Sequence, residues 1–408
     1  ARPPTGEVLA MVGSIDYFAS PSGSFNVTTA LRQPGSAIKP LNYAIGIERK
    51  LVTPATVFID TPTCFTSAGQ PKAYCPVNYD GQFHGPVQLR FALGNSYNIP
   101  AVKMLALNGV ENFIASSSAF GITTFKDPKN YGLSLTLGGG EVKMTEMAQA
   151  FSAFANRGKI KNLNAILKIE DKFGKKIFEL KDQNIKKDIK KPLTYPNFFA
   201  IKGKQAISTE TAFLISHILL DNNARSAAFG SSSYLVIPNH AVSVKTGTTD
   251  DKRDNWTIGY TPNFLVTVWV GNNDNSPMHP WLTSGVTGAA PIWNKVMTYV
   301  LKNQPDLWPI RPENVVGKQV CWDSGNLMNK KEDGSEDCQS RFEYFIKGTE
   351  PKESNIIKQI VPITKDDKLA PPNWPEIEMK EKTIIKDMFT IYCVDCNHDK
   401  EIPQIIKL

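Results

Sequence analysis

Alternating apolar and polar residues predict four β-strands that lie far apart along the chain. They cover residues 6–14, 240–249, 255–261 and 263–272, and the last two are joined as a hairpin. Between the first strand and the other three, apolar residues recur at the spacing of a helix face. These helical patterns cover residues 36–48, 87–107 in two parts, 109–119, 141–156 and 208–221. One antiparallel sheet built from the first and last strands, with helices inserted between them, is an α+β arrangement.

Two changes in composition along the chain suggest how it is divided. Residues 158–206 are rich in lysine and contain a predicted hairpin that turns at Lys172, Phe173 and Gly174, so we interpret this stretch as an excursion from the main domain. After Lys302 the chain becomes rich in Pro, Lys, Glu and Asp. We therefore predict a main domain over residues 1–305 and a partly irregular C-terminal extension over residues 306–408.

Composition indicates a folded chain of two or three compact units. Of 408 residues, 41% are hydrophobic and 21% are charged, which argues against long disordered regions. The net charge of +7 is modest for this length, so solvated lysines explain it better than a nucleic-acid partner. No apolar run approaches the roughly 18 residues that span a bilayer. Because the chain starts at Ala1 without a signal-peptide pattern, we expect any membrane anchor or targeting signal upstream.

The six cysteines fall into three pairs that are close in sequence: Cys64 with Cys75, Cys321 with Cys338, and Cys393 with Cys396. Pairs of this kind favour an oxidising compartment. Scattered buried thiols are the alternative. A metal site at Cys393, Cys396 and His398 would lack a fourth ligand at familiar zinc spacing. No metal and no cofactor are therefore expected.

The segment LRQPGSAIKP, residues 31–40, places Ser36 and Lys39 three residues apart at the start of a predicted helix. Residues at this spacing share a helix face, so the amine of Lys39 can reach the hydroxyl of Ser36. Gly35 permits a sharp turn, and the helix dipole favours a developing anion at Ser36. A serine hydroxyl needs a base to become a good nucleophile. Because the motif is common, a helix that merely starts with serine is the alternative.

A lysine can act as that base only when neutral, and a lowered pKa requires burial or a second nearby cation. VKTGTT, residues 244–249, offers a cation on a predicted strand. The side chains of Lys245, Thr246 and Thr248 alternate in direction, and Gly247 removes a side chain where a substrate backbone could lie. A strand end followed by a turn glycine is the alternative.

A third candidate element, Ser96-Tyr97-Asn98, lies between two helical patterns in LGNSYNIPAVK, residues 93–103. It offers a hydroxyl and an amide that could relay a proton and hold a peptide carbonyl. The pattern Ser-x-Asn also occurs at Ser24 and Ser324, so the motif by itself carries little information.

In this order the three motifs resemble the serine acyl-transfer signature of penicillin-binding proteins and β-lactamases, with Tyr97 in the middle place that is often Asp. Most of residues 6–300 resembles the transpeptidase domain of class A penicillin-binding proteins. The segments that carry the resemblance are RQPGSAIKP, GNSYNIPAVK, LSLTLGGGEVKMTEMAQAFSAFANRGK, DNNARSAAFG and DNWTIGYTPNFLVTVWVGN. EYFIKGTEP, residues 343–351, resembles the segment that often follows this domain. Beyond Lys358 the resemblance ends.

The resemblance implies the α+β fold of penicillin-binding proteins and β-lactamases, an antiparallel sheet flanked by helices plus an all-helical subdomain. It implies D,D-transpeptidation: the D-Ala-D-Ala end of one peptidoglycan stem peptide acylates the serine, and an amine of a neighbouring stem attacks the ester. The expected partners are these stem peptides and, as inhibitors, β-lactams. The expected location is the extracytoplasmic face of the bacterial cell membrane, held by an N-terminal anchor that this sequence lacks.

Carried over residue by residue, the resemblance makes Ser36 the nucleophile and Lys39 its base. Ser96 and Asn98 would relay the proton and bind substrate beside Tyr97. The residues that would position the terminal carboxylate are Lys245, Thr246, Gly247 and Thr248. The backbone amides of Ser36 and Thr248 would form the oxyanion hole. Disulfides are expected between Cys64 and Cys75 and between Cys321 and Cys338, because each pair flanks a short polar loop. The five histidines have no expected role in this chemistry.

Two other functions use the same motifs. A β-lactamase shares the acylation chemistry but needs a base for the deacylating water, and no glutamate in a recognisable loop between Asn98 and Lys245 offers one. A catalytically silent β-lactam sensor or wall-binding module is the second alternative, and the intact set of three motifs argues against it. The choice between transpeptidase and carboxypeptidase rests on the family resemblance alone.

Overall fold

The computed structural model describes residues 1–66, 72–279, 286–352 and 354–408. The chain forms two compact units, each built from two separate stretches of sequence. The first unit contains Ala1–Glu48 and Asn108–Pro312, and the second unit contains Arg49–Leu107 and Glu313–Leu408. Within the described ranges, no helix has the length and apolar character needed to cross a membrane. The domain boundary near residue 305, drawn from composition, stays a prediction.

Helices and strands are mixed along the chain, which confirms the predicted α+β class. The helices are α1 (Lys39–Glu48), α2 (Leu89–Gly94), α3 (Asn98–Asn108), α4 (Val110–Ala119), α5 (Met144–Ala155), α6 (Thr209–Leu220), α7 (Ser226–Phe229) and α8 (Ala289–Leu301). The strands up to the main sheet are β1 (Val57–Asp60), β2 (Thr63–Thr66), β3 (Gly85–Gln88), β4 (Lys159–Ile160), β5 (Lys168–Glu170), β6 (Lys176–Glu179) and β7 (Lys204–Gln205). The remaining strands are β8 (Ser243–Thr248), β9 (Asn255–Tyr260), β10 (Leu265–Val270), β11 (Val315–Cys321), β12 (Ser340–Ile346), β13 (Ile356–Ile363), β14 (Glu378–Lys386), β15 (Ile391–Cys393) and β16 (Gln404–Lys407).

The main sheet of the first unit has three antiparallel strands in the order β10–β9–β8. The sequence predicted all three strands and the hairpin between β9 and β10, where the Thr261 N–H donates to the Phe264 carbonyl at 2.8 Å. The predicted helices at 36–48, 109–119, 141–156 and 208–221 are also present as α1, α4, α5 and α6. In this sheet β8 is an edge strand.

Helices cover both faces of the main sheet. On one face, Trp293 and Met297 of α8 pack in a buried cluster with Val244 of β8. On the other face, Phe151 of α5 meets the ring of Tyr260 edge-on at a centroid distance of 6.2 Å. Apolar burial on both faces makes the sheet the core of the first unit.

The strand predicted for residues 6–14 is wrong. Of these residues only Glu7 makes a β-bridge, to Asn164. The chain closes a tight turn here, because Gly6 has φ +75° and the buried carboxylate of Glu7 pairs with Arg2 at 3.0 Å. Leu9, which follows the turn, is 40% exposed. Alternation therefore marked a strand where, among the described residues, a single bridge to Asn164 forms.

The lysine-rich stretch contains the predicted hairpin. Strands β5 and β6 pair antiparallel, and the Gly174 N–H donates to the Asp171 carbonyl at 3.0 Å in the connecting turn. Every residue of both strands is exposed. The hairpin therefore contributes no side chains to the core of the first unit.

The second unit combines the middle of the chain with its C-terminal end. Strand β16 pairs in parallel with β2, and Ile385 of β14 shares a buried cluster with Val57 and Ile59 of β1. Helices α2 and α3 follow β3 in this unit. Segments more than 300 residues apart in sequence thus form one hydrophobic core.

Two buried ion pairs attach α2 and α3 to the C-terminal residues. Arg90 of α2 donates through Nε to a Glu343 carboxylate oxygen at 2.7 Å. Lys103 of α3 lies 2.7 Å from the carboxylate of Asp387, and both side chains are 0% exposed. Lys103 also donates to the Ile59 carbonyl at 2.7 Å. Because buried charges need close partners, each pair fixes the position of one helix.

All six cysteines are joined in the three pairs that are close in sequence. The structure bonds Cys64 to Cys75, Cys321 to Cys338, and Cys393 to Cys396. Because Cys393 and Cys396 are bonded to each other, their sulfur atoms are not available as thiolate ligands for the zinc site considered above.

We predict that Asp387→Asn destabilises the protein by about 3–5 kcal/mol, because the buried ammonium of Lys103 loses its carboxylate. The double variant Lys103→Met, Asp387→Asn should cost clearly less than the sum of the single changes. Urea unfolding of the three variants measures this coupling. Lys380→Met is the control, since its pair with Glu378 is exposed on both sides and should contribute less than about 1 kcal/mol. Strictly additive effects would contradict the prediction.

We predict that the cysteines of the native protein resist alkylation unless a reductant is added. Closing a loop of this size contributes about 2–4 kcal/mol, so the bonds between Cys64 and Cys75 and between Cys321 and Cys338 should persist after purification. Intact mass before and after iodoacetamide treatment, with a reduced and denatured sample as control, gives the number of free thiols. Alkylation at any of these four residues without reductant would show that the pairing is wrong.

Candidate active site

Ser36 lies in a single 3-10 turn, Gly35–Ile38, that leads directly into α1. The Lys39 N–H donates to the Ser36 carbonyl, the i to i+3 hydrogen bond of a 3-10 turn. Ser36 is partly exposed, whereas Lys39 is fully buried. The predicted helix start is therefore present, with the hydroxyl at the surface and the amine beneath it.

The turn of Ser36 touches the backbone of β8 without any intervening side chain. A Cβ atom on Gly247 would lie 2.2 Å from the Pro34 carbonyl oxygen and 2.9 Å from the Ala37 nitrogen. Gly35 has φ +53°, and a Cβ there would lie 2.6 Å from the Thr248 carbonyl oxygen. Distances below about 3 Å leave no room for a side chain. Glycine at 247 is thus explained by the turn of Ser36, whereas its contact with a substrate stays a prediction.

A third glycine completes this contact. Gly138 has φ +92°, and a Cβ on it would lie 2.2 Å from the Gly35 nitrogen. Gly138 follows a 3-10 helix, Leu133–Leu137, in the segment LSLTLGGG. Both faces of the Gly35 peptide are therefore covered by backbone, which leaves the Ser36 turn little freedom to move.

The direction of the side chains on β8 follows from this contact. Because alternate residues of a strand share a face, Lys245 lies on the same face as Gly247, the face that meets the Ser36 turn. Ser243, two residues earlier, donates to the Ser216 carbonyl of α6 at 2.8 Å on that face. Thr246 and Thr248 lie on the opposite face. Lys245 is thus directed toward the region between α6 and the Ser36 turn.

Hydrogen bonds from other elements fix the residues on either side of Ser36. The indole N–H of Trp256, which is 1% exposed, donates to the Gln33 carbonyl at 2.8 Å. Arg32 and Val142 exchange two backbone hydrogen bonds of 2.9 Å. One turn beyond Lys39, the buried amide of Asn42 donates to Thr136 Oγ1 at 2.8 Å. Trp256 lies in DNWTIGYTPNFLVTVWVGN, but the sequence analysis selected neither Trp256 nor Asn42.

Lys245 has a pKa well below the ordinary value of a lysine. Its side chain is buried, and burial together with the positive charge of Arg225 lowers its pKa from 10.5 to about 7. Arg225 is itself buried and donates to the Leu219 carbonyl at 2.7 Å. The sequence analysis expected Lys245 to be the second cation that lowers the pKa of Lys39, and it missed Arg225, the cation that acts on Lys245 itself. The only sequence signal for Arg225 was its place in DNNARSAAFG.

In the second unit, Ser96, Tyr97 and Asn98 occupy the short connection between α2 and α3. The Tyr97 N–H donates back to the Ala92 carbonyl at 3.0 Å, and Asn98 is the first residue of α3. Ser96 has φ +65°, a left-handed conformation that costs a non-glycine residue about 1–2 kcal/mol. Such backbone strain is kept at sites where the surroundings enforce one conformation.

Neighbouring residues hold this connection on both sides. The Asn98 N–H donates to Asn78 Oδ1 at 2.6 Å, and the Asn98 amide donates to the Val77 carbonyl at 2.7 Å. Tyr97 is 8% exposed, and burial, followed by the charges of Asp60 and Asp80, raises its pKa to about 12. The phenol therefore stays neutral at physiological pH and is poorly suited to be a base there.

The predicted site residues thus form two groups. One group belongs to the first unit and contains Ser36, Lys39 and the segment Lys245–Thr248, which begins with the K-T-G motif. The turn of Ser36 meets this segment through the glycine contact. Ser96, Tyr97 and Asn98 belong to the second unit.

Comparison with protein families matches the chain along most of its length. Residues 1–298 match the family described as penicillin binding protein transpeptidase domain, and residues 311–355 match the C-terminal domain of penicillin-binding protein 1A. The chain is 29% identical over 387 residues to penicillin-binding protein 1A of Vibrio cholerae, covering 86% of this chain and 44% of that protein. It is 31% identical over 359 residues to penicillin-binding protein 2D of Bacillus subtilis, covering 86% of this chain and 46% of that protein. The chain therefore spans less than half the length of either relative.

Comparison with solved structures also finds penicillin-binding proteins. Penicillin-binding protein 1A from Haemophilus influenzae has a TM-score of 0.69 and 29% identity, and the match covers 84% of this chain and 51% of that chain. PonA1 from Mycobacterium tuberculosis in complex with penicillin V has a TM-score of 0.56 and 20% identity, covering 71% of this chain and 74% of that chain. At this identity the second match shows a shared fold.

We predict that Lys245 titrates near pH 7, so its positive charge is present below this pH and is lost as the pH rises through it. Nuclear magnetic resonance of ¹³Cε-labelled lysines should show one resonance with a midpoint near 7 that disappears in Lys245→Met. Lys129→Met, which removes an exposed lysine of the same unit, is the control and should leave that resonance in place. If Lys245 titrates near the ordinary lysine pKa of about 10.4, the pocket does not lower it.

Proposed function

This chain belongs to the penicillin-binding protein transpeptidase family, and we propose that it is a serine D,D-transpeptidase that cross-links peptidoglycan stem peptides through an acyl-enzyme on Ser36. The observation that carries the proposal is the backbone contact of the Ser36 turn with β8. It joins the nucleophile to a strand whose lysine has a pKa near 7. A helix that merely started with serine would not need this contact.

Acylation begins when Ser36 Oγ attacks the carbonyl carbon of the penultimate D-Ala of a donor stem. Neutral Lys39 takes the hydroxyl proton, the new C–O bond forms, and the C–N bond to the terminal D-Ala breaks. The departing amine receives a proton, for which Ser96 is the relay. Burial of Lys39 supports its role as base, because loss of hydration disfavours the charged form of an amine.

The oxyanion of the tetrahedral intermediate would be held by the backbone N–H groups of Ser36 and Thr248. These two residues lie on the two sides of the glycine contact, which supports their convergence on one carbonyl oxygen. The loss of one such donor costs on the order of 100- to 1,000-fold in rate. A rigid turn and a rigid strand are therefore needed together.

Substrate would align along β8. An edge strand offers unpaired backbone groups to an extended peptide, and β8 is at the edge of its sheet. Lys245, Thr246 and Thr248 would hold the terminal carboxylate of the stem peptide or of a β-lactam. The protonated form of Lys245 is the one suited to this role, and it is present below about pH 7.

We propose that Ser96 and Asn98 supply the proton relay and further contacts to the substrate. In the second half-reaction an amine of a neighbouring stem attacks the ester, a new amide forms, and Ser36 regains its proton. The substrates place this reaction on the extracytoplasmic face of the bacterial membrane. Three disulfides support that location, because such bonds persist in oxidising compartments.

Covalent labelling by β-lactams tests the proposal, since PonA1, which shares the fold, was solved with penicillin V. We predict one penicilloyl group per chain, located by peptide mapping in QPGSAIK, and none in Ser36→Ala. Ser24→Ala, which removes an exposed serine of the same unit, is the matched control and should label normally. Labelling of Ser36→Ala at the wild-type rate would refute the assignment.

The fate of the ester separates a transpeptidase from the alternatives. Without a positioned base for water, deacylation loses roughly 100- to 10,000-fold in rate. Excess nitrocefin should therefore give a burst of one equivalent followed by a flat line. Sustained turnover at several per second would identify a β-lactamase, and complete absence of acylation would identify a silent binding module.

A further inference from the structure

His84 lies against the S-x-N motif (Ser96-Tyr97-Asn98), although the sequence analysis assigned no role to any histidine. Its imidazole stacks on the ring of Tyr97 at a centroid distance of 3.9 Å and an interplanar angle of 16°. A ring contact this close and this parallel fixes the side chain of the middle residue of the motif. The contact lies entirely within the second unit.

A buried carboxylate holds the other side of this histidine. His84 Nδ1 lies 2.7 Å from Oδ2 of Asp60, the last residue of β1, and Asp60 is 0% exposed. The His84 backbone N–H donates to the same oxygen at 3.1 Å. On the solvent side, His84 Nε2 lies 3.2 Å from the carboxylate of Asp80. The imidazole is therefore placed between two carboxylates while its face covers Tyr97.

Asp60 also reaches the motif by a second route. The amide of Asn78 donates to Oδ1 and Oδ2 of Asp60 at 3.0 and 2.8 Å. The amide oxygen of Asn78 in turn accepts from the Asn98 N–H at 2.6 Å. Asn78 is 3% exposed, so this hydrogen-bonded path is shielded from solvent. One carboxylate thus contacts two side chains, and each of these contacts a different residue of the motif.

We propose that Asp60, through its ion pair with His84 and its hydrogen bonds to Asn78, positions the S-x-N motif for the acylation of Ser36. Asp60, His84 and Asn78 are positioning residues, because His84 contacts Tyr97, Asn78 contacts Asn98, and Asp60 acts through both. The inference rests on the proposed function, since it concerns the same site.

The strained backbone of Ser96 gives this positioning a physical purpose. A left-handed serine relaxes unless its neighbours are fixed, and here the two residues that follow it are fixed through Asp60. If Tyr97 and Asn98 were released, Ser96 could leave this conformation and its hydroxyl would move. A displacement of about 1 Å in a catalytic group can reduce a rate by roughly 100-fold.

The charge of His84 makes the positioning depend on pH. The hydrogen bond to Asp60, with the charges of Asp60 and Asp80, raises the pKa of His84 above its ordinary value. Both ring nitrogens donate when the imidazole is protonated. The ion pair is therefore complete below the ordinary pKa of histidine and is lost as the pH rises through the raised value. Tyr97, which stacks on the ring, stays protonated over this range.

The test measures the acylation of Ser36 by benzylpenicillin in the full chain, between pH 5.5 and 9. His84→Gln removes the charge and the ring, whereas His84→Phe keeps a ring on Tyr97 and loses the ion pair. We expect the acylation rate constant at pH 6 to fall about 10- to 100-fold in both variants. The affinity of the non-covalent complex should change little, because the carboxylate contacts belong to β8.

The ratio of the wild-type rate to the His84→Gln rate separates positioning from a general structural role. Titration of Lys39 and Lys245 affects both proteins and cancels in this ratio. The ratio should be largest near pH 6 and should shrink toward pH 9. A matched control is His398→Gln, because His398 also stacks on a tyrosine, Tyr392, beside a carboxylate, that of Glu401. The ratio of the wild-type rate to the His398→Gln rate should stay near 1 at every pH.

Asn78→Leu tests the second route and should also slow acylation about tenfold or more. Wild-type rates in the His84 variants, a ratio that does not change with pH, or an equal loss in His398→Gln would each overturn the inference. In all these outcomes the wild-type protein still forms penicilloyl-Ser36. Failure of the wild-type protein to form it would instead overturn the proposed function.

Discussion

The close backbone contact between the Ser36 turn and strand β8 is the constraint on which the candidate site depends. Gly35, Gly138 and Gly247 come from three separate parts of the chain, and each lies where a Cβ would overlap backbone atoms of a neighbour. This contact fixes the position of Ser36 relative to β8. The turn that makes this contact is a 3-10 turn, Gly35–Ile38, which leads directly into α1.

Buried positive charge is the second organising feature of the first unit. Lys39, Lys245 and Arg225 are all buried, which disfavours the charged form of an amine. Arg225 remains a cation because its guanidinium donates to carbonyls at the C-terminal end of α6, where the helix dipole favours positive charge. Burial, followed by the charge of Arg225, lowers the pKa of Lys245 to about 7. The positive charge of Lys245 is therefore present below about this pH and is lost above it.

The second unit shows how distant segments support a short catalytic motif. Helix α2 before the S-x-N motif and helix α3 after it each carry a buried cation, and each cation pairs with an acid from the C-terminal part of the chain. Between them, Asp60 connects to Tyr97 and Asn98 through His84 and Asn78. The residues after position 313 are therefore part of the structure that holds this motif, and they are more than an appendage to the main domain.

The sequence by itself determined the features that depend on neighbouring residues. Helical periodicity predicted α1, α4, α5 and α6, and alternation with a Pro-Asn turn predicted β9 and β10. Spacing along the chain predicted the three motifs and the pairing of the cysteines. Alternation failed at residues 6–14, because a strand also needs a partner, and the partner cannot be inferred from the segment itself. Only the tertiary structure assigned Gly247 to the Ser36 turn, Arg225 to Lys245, and His84 to Asp60 and Tyr97. Close packing and charge interactions join residues that are far apart in sequence, so these pairings cannot be predicted from a local sequence pattern.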